Sequence, residues 1–394
     1  MQSAKRGWGV VVAFAGVGAV TQMVWLTFAA VTTPAARHFH VSSSAIGWLA
    51  QPFVFIYVLL AIPAGLLLDR HLRRWLVIGA LLTATGALIR LEGSYSALLL
   101  GAAVAAVAQP LVLNSVTALV AQYLPERSRP AGIALASASI FAGMVMAFLL
   151  GVIFSTPSQM PALVRVQAML AVLAGAGLAL ALLRDAPFPP SAPSLGLGAF
   201  AAAWRRPLMR LLCAFIALPF GVFISLTTWA QDLLKPAGVS ANAAGGILIA
   251  MVLAGVVGSS VLPVLAARRH REVRLATVAA IATSLACLVL AIAPGTLSAL
   301  ISLLVVGFLA LSVLPVVLEL TERAAPDSES TASGLIWLAG NLGGLVMASV
   351  TGLIATRPHL AFLILALATA SSLPTLRALR EPVSRLDPMV ASRP

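Results

Sequence analysis

The chain has 394 residues, 60% hydrophobic and only 9% charged, with a formal net charge of +13 and a mean hydropathy of +1.03. Soluble domains carry about 25% charged residues, so this balance excludes a soluble domain, a disordered chain, a disulfide scaffold and a nucleic-acid-binding domain. A helix needs about 20 apolar residues to cross the hydrocarbon core, and twelve such runs are predicted. They lie near residues 9–34, 45–68, 75–91, 96–122, 131–154, 164–183, 209–233, 242–266, 274–293, 297–319, 331–355 and 359–376. Charges, Pro and Gly mark the joints, as at Pro294-Gly295 and Arg357-Pro358. Helices are required because lipid offers backbone groups no partner outside the segment. A membrane β-barrel would alternate apolar and polar residues over segments of about 10, and these runs are longer and continuously apolar.

The first run is longer than the roughly 7–15-residue apolar core of a signal peptide. It follows Lys5-Arg6, which is expected to hold the N-terminus in the cytoplasm. Alternating the loops from there leaves only Arg37, Arg90, Arg165, Lys235 and Arg357 on the outer side, and 20 of the 25 cations on the cytoplasmic side. That is the sense of the positive-inside rule, so topology accounts for the positive charge and nucleic acid is not needed. The expected location is the cytoplasmic (inner) membrane, with both termini cytoplasmic.

Residues 184–208 form the longest polar interruption and divide the runs six and six. The expected organisation is a six-helix half over 1–183, a cytoplasmic linker over 184–208, a second half over 209–377 and a tail over 378–394. Residues 195–204 are expected to form a short interfacial helix with Trp204 at the headgroups. The fold class is therefore an all-α membrane protein of twelve transmembrane helices in two pseudo-symmetric halves, the layout of many carriers.

Helical spacing places Thr21, Trp25, Phe28 and Thr32 on one face of span one. It pairs Ser225 with Trp229 in span seven, with Phe223 and Thr227 adjacent. It also aligns Pro110, Asn114 and Thr117 in span four, and Ser333, Trp337 and Asn341 in span eleven. Polar residues in a membrane helix face protein or a water-filled cavity, and they also hold helices together. From these faces the candidate substrate-binding set is Thr21, Trp25, Phe28, Asn114, Phe223, Trp229, Trp337 and Asn341. Pro110 and Pro315 are expected to interrupt spans four and ten at matching places.

All twelve carboxylates fall at or near predicted span ends. Without a mid-span acid, transport is expected not to require a proton gradient, with Glu319 the nearest candidate for coupling. The five histidines lie in loops; His38 and His40 are too few for a metal site. Cys213 and Cys287 sit in apolar runs without metal spacing and are expected to be lipid-embedded thiols. No nucleophile–base set or phosphate loop is present. The expectation is therefore a non-enzyme with no cofactor and no metal.

The sharpest local pattern is Gly65-Leu-Leu-Leu-Asp69-Arg70-His71-Leu72-Arg73-Arg74. Gly65 is expected to permit close helix contact. Asp69 sits at a helix C-terminus, where the dipole disfavours it, so Arg70, Arg73 and Arg74 are expected to clamp it. The inward gate is therefore assigned to Gly65, Asp69, Arg70, Arg73 and Glu319. The pattern resembles the loop motif of the major facilitator superfamily between spans two and three, departing at Leu72, where that family usually has Gly.

Further segments resemble the branch related to the feline leukaemia virus subgroup C receptors. They are Ile46-Gly47-Trp48-Leu49 through Leu68-Asp69, Ala108-Gln109-Pro110 through Asn114, Pro125-Glu126-Arg127, Pro315 through Glu319, and Ser330-Thr331-Ala332-Ser333-Gly334-Leu335. The resemblance implies alternating access, with cargo in the branch including choline, ethanolamine and haem. It places Trp25 at the branch's choline-cage tryptophan and Asn341 at a cage glutamine. Ile224 and a position near Phe141 replace a cage tyrosine and a second glutamine. The expected function is a monomeric secondary transporter in the lipid bilayer for a small organic solute, choline-like or another cationic amine. The alternatives are a multidrug or metabolite exporter of the same fold and a non-transporting receptor.

Overall fold

The computed structural model describes residues 2–188, 196–324 and 329–384, and every regular element among them is helical. Twelve of its helical stretches are long and apolar enough to cross a bilayer. The chain divides into two compact units, Met1–Pro193 and Ser194–Pro394.

In the first unit α1 (Gln2–Trp25) carries span one. After a turn, α2 (Thr32–Phe39) and α3 (Ser43–Trp48) follow. Next, α4 (Gln51–Ile89) runs spans two and three together, across non-helical backbone at His71 (φ −149°, ψ 70°). Span four is divided between α5 (Tyr95–Leu113) and α6 (Val116–Tyr123). Then α7 (Arg129–Ile153) and α8 (Met160–Ala181) complete six spans.

The second unit opens with α9 (Gly196–Arg205), at the place expected for a short helix. Phe200 and Ala203 pack it against this unit's apolar core, leaving Trp204 half exposed. Spans seven to eleven are α10 (Pro207–Leu234), α11 (Ala241–Ala267), α12 (Glu272–Ile292), α13 (Thr296–Ala324) and α14 (Glu329–Leu353). Finally, α15 (Pro358–Ala370) and α16 (Leu373–Ser384) together make span twelve.

The units repeat each other locally. The Ser42 hydroxyl accepts from the Ala45 N–H at 3.0 Å ahead of span two, and Ser240 accepts from Ala243 at 3.2 Å ahead of span eight. Such caps satisfy an otherwise orphaned first-turn donor.

Helix pairs are drawn together by small residues. Lipid is as apolar as a leucine, so close packing rather than hydrophobicity drives association in the bilayer. A Cβ built on Gly143 would lie 2.0 Å from the Ala19 carbonyl oxygen, and one on Gly343 would lie 1.8 Å from that of Ala217. Backbones therefore touch where span five crosses span one, and where span eleven crosses span seven. Leu180, Leu183, Ile292 and Leu353 are exposed on the outer faces, as residues facing acyl chains should be.

Four expectations need correction. Span one is not one helix over 9–34: α1 stops at Trp25. A turn separates it from α2, which carries Pro34 in its first turn, where a missing N–H leaves no helical bond unmade. Pro315 does not interrupt span ten, because α13 is continuous through it. Cys213 and Cys287 are buried within protein rather than facing lipid. Gly65 makes no close helix contact, since an added Cβ would meet nothing within 4 Å.

Candidate functional site

The break in span one gathers the polar groups of the first unit. Trp25, the last residue of α1, is buried, and its indole N–H donates to the Ala50 carbonyl at 3.2 Å. Thr21 is buried and bonds back to the Gly18 carbonyl. Two residues past Trp25, Thr27 donates to Gln167 Oε1 at 2.7 Å. Phe28 meets Phe39 edge-on, with centroids 5.9 Å apart, and carries the Arg90 guanidinium 5.3 Å from its ring centre. Its accessible face is thus taken by protein, which weakens the expectation that it touches cargo.

Asn114 lies at the break between α5 and α6. Pro110, one turn earlier, lacks the N–H that would bond the Ala106 carbonyl, which loosens the helix there. Both ends of the Asn114 amide are engaged: Oδ1 accepts from Tyr57 OH at 2.8 Å and Nδ2 donates to the Ala61 carbonyl at 3.0 Å. Asn114 therefore ties span four to span two. Tyr57, fully buried, is the partner that sequence reading missed. Tyr57→Phe removes the donor and strands Asn114 Oδ1. The expected loss is about 0.6–2 kcal/mol, from the modest worth of membrane hydrogen bonds to the cost of an unmet acceptor. It should appear as a lowered melting temperature of the detergent-solubilised protein; an unchanged one removes the bond from the account.

In the second unit, spans seven and eleven form an aromatic corner. Phe220 lies 6.3 Å from Phe223 and meets Trp337 edge-on, with ring centres 5.9 Å apart and planes at 88°. Gly340 makes the room: a Cβ there would come within 3.0 Å of Phe220 Cδ1. Phe220 and Trp337 keep partial exposure, whereas Phe223 is buried. The Asn341 amide donates to the Trp337 carbonyl at 2.9 Å, one turn back. Its carbonyl oxygen remains the end with capacity to accept. Phe220 was missed because a phenylalanine in an apolar run carries no signal; its neighbour Gly340 was the available clue. Trp229 is fully buried and fills the space over Gly352, where a Cβ would lie 2.4 Å from Trp229 Cζ2. Its geometry is that of a packing residue.

The proposed gate residues separate. The Asp69 side chain lies outside the described residues. Arg70 is exposed, and Arg73 pairs with Asp185 at 3.0 Å. Asp185 is almost fully exposed, so the pair resembles surface bridges worth little. In the second unit Arg323 donates to Glu272 at 3.2 Å and also to Glu319, one turn earlier on the same helix. Glu272, in the first turn of α12, is only 3% exposed, against about a third for the other two. Burial works against the Arg323 cation, but the charges and hydrogen bonds of Glu319 and Glu272 outweigh it and raise its pKa. Glu319 is therefore one arm of a three-residue charge clamp, and Glu272 is the member that sequence reading passed over.

Two units of six spans, each with one span divided between two helices, α5 and α6 in the first and α15 and α16 in the second, have the organisation of a membrane carrier fold. Residues 12–348 match the major facilitator superfamily, and the chain belongs to it. It is similar to two proteins called solute carrier family 49 member A3. That of Danio rerio is 26% identical over 378 residues, covering 90% of this chain and 80% of the relative; that of Xenopus tropicalis is 27% identical over 375 residues, covering 87% and 76%. These relatives agree with the branch indicated by the motifs. Among solved structures, a bacterial homologue of the human lysosomal transporter Spinster, inward-facing and unoccupied, superposes with a TM-score of 0.72 at 17% identity, covering 97% of each chain. A nucleoside transporter superposes with a TM-score of 0.71 at 14% identity, covering 94% of this chain and all of the other. These likenesses show the fold.

Proposed function

We propose that the chain is a secondary transporter of the cytoplasmic membrane, with both termini in the cytoplasm. It acts as a monomer and moves a small organic cation of the choline-like amine class by alternating access. The observation that carries the cargo class is the aromatic corner of Phe220, Phe223 and Trp337, with Asn341 one turn on from Trp337. A cation over an aromatic face gains roughly 0.5–2 kcal/mol, so rings can hold an amine without a carboxylate. Trp25 in the first unit remains a proposed contact, through its ring, since its N–H is engaged with Ala50. Transport without a proton gradient is supported by the tie of Glu319 to Arg323 at a span end.

A thermal-shift screen of the purified protein against amines, amino acids, nucleosides and dyes tests the cargo. A ligand that binds only the folded state at 100 times its Kd adds about 2.7 kcal/mol. An amine should raise the melting temperature, and Trp337→Ala should abolish that rise while melting near wild type without ligand. A shift from nucleosides or dyes alone overturns the amine reading. Absence of labelled uptake into proteoliposomes for every stabilising compound overturns the carrier reading. Concentrative uptake driven by an imposed pH difference overturns gradient independence.

A further inference from the structure

Arg90 is a cation inside the membrane-spanning part of the first unit, and no described carboxylate pairs with it. It closes span three and is 3% exposed, although the alternation of loops counted it among the outer-side cations. Nη1 donates to the Val24 carbonyl at 3.2 Å, the guanidinium lies 5.3 Å from the Phe28 ring centre, and Nε has no partner. Gly101 of span four leaves room for the stem, since a Cβ there would come within 2.5 Å of Arg90 Cγ. A buried charge is costly unless something compensates it, and here the compensation comes from helix one. Val24 belongs to the last turn of α1, where unpaired carbonyls carry the negative end of the helix dipole. Phe28, in the turn that follows α1, offers its electron-rich face. Arg90 thus binds the last turn of α1 and the turn beyond it at once.

The Thr27 hydroxyl adds a second consideration. It lies 2.8 Å from the Val24 carbonyl and 2.7 Å from Gln167 Oε1, with one proton to give. Arg90 and Thr27 therefore converge on the same carbonyl, and the contact of Thr27 with Gln167 ties the turn to span six.

We infer that Arg90 is a positioning residue that holds helix one broken after Trp25 and so sets the indole of Trp25 at the break. It acts through the segment 22–31 and touches no cargo. The inference does not depend on which solute is carried.

The experiment is hydrogen–deuterium exchange by mass spectrometry on the full-length protein, with melting temperatures, for wild type, Arg90→Met and Arg90→Lys. Methionine fills similar space without charge, and exchanging a buried ion for an apolar side chain is often neutral for stability. The expected result for Arg90→Met is a melting temperature near wild type with exchange over 24–31 faster by about tenfold, the scale of one lost charged hydrogen bond. Peptides from span five should be unchanged. Arg90→Lys keeps the charge within reach of the Val24 carbonyl and should restore most of the protection. Unaltered exchange over 24–31 in Arg90→Met overturns the inference. So does acceleration spread evenly over the unit, or no rescue by lysine. None of these outcomes bears on the amine proposal, which is decided by the ligand screen.

Discussion

Gly343→Ala is expected to lose most of its folded protein on extraction into detergent, and Gly143→Ala to behave alike. In each case the added methyl falls within 2 Å or less of a carbonyl oxygen, at Ala217 and Ala19 respectively. The obstacle is backbone, so no rotamer change relieves it and the two spans must separate. Overpacking of this kind costs about 1–3 kcal/mol, occasionally more, and separation also forfeits the van der Waals contacts that hold membrane helices together. Gly177→Ala is the control: in α8 an added Cβ meets nothing within 4 Å. Alanine is a better helix former than glycine by roughly 0.5–1 kcal/mol, so this variant should melt at or above the wild-type temperature. Size-exclusion profiles and melting curves of the three variants decide the matter. If Gly343→Ala is monodisperse and melts like wild type, spans seven and eleven do not cross as closely as described.

The second large effect is expected at the charge clamp of the second unit. Arg323→Ala leaves Glu272 buried without a counter-charge, and breaking a buried pair from one side costs about 3–5 kcal/mol. Glu319→Gln removes only the more exposed arm, a helical i,i+4 pair worth about 0.3–0.5 kcal/mol in water. The two carboxylates touch the same guanidinium and should yield very different losses, because burial and not distance sets the penalty. Arg323→Met combined with Glu272→Leu should recover most of the stability lost in Arg323→Ala, since neither charge is then stranded. A double variant as unstable as Arg323→Ala would mean that a stranded charge at Glu272 is not what destabilises Arg323→Ala.

The spans were legible because hydropathy is a property of composition over some twenty residues, and that is what crossing a bilayer demands. Where a helix stops inside the membrane is decided by a few backbone groups, and hydropathy does not register them. The apolar run 9–34 reads as continuous although α1 ends at Trp25; Pro34 was the local signal. Pro315 gave the same signal, yet α13 runs on through it, so a proline alone does not predict a break.

Side-chain roles were less legible than the helices that carry them. Trp25 and Trp229 look equivalent in sequence, but one hydrogen-bonds at a helix break and the other packs over Gly352. Asn114 has the polarity expected of a ligand contact, but its amide is consumed by Tyr57 and Ala61, on another span and more than fifty residues away. Charge position misled at Arg90 and Glu272: both lie where loops begin, and both turn inward.

The glycine crossings also set a schedule for biosynthesis. Span one finds its partner only when Gly143 has been made, and span seven only when Gly343 has. In each unit roughly 120 residues separate the partners, which at about 5–20 residues per second is a wait of about 6–25 seconds. During that interval a helix face shaped to meet bare backbone lies against lipid, which cannot follow its contour. Each unit therefore gains the crossing of its first helix late, with its fifth span. A chain stalled before that span would leave the membrane holding a first helix without its partner, a state open to quality control before any cargo has been met.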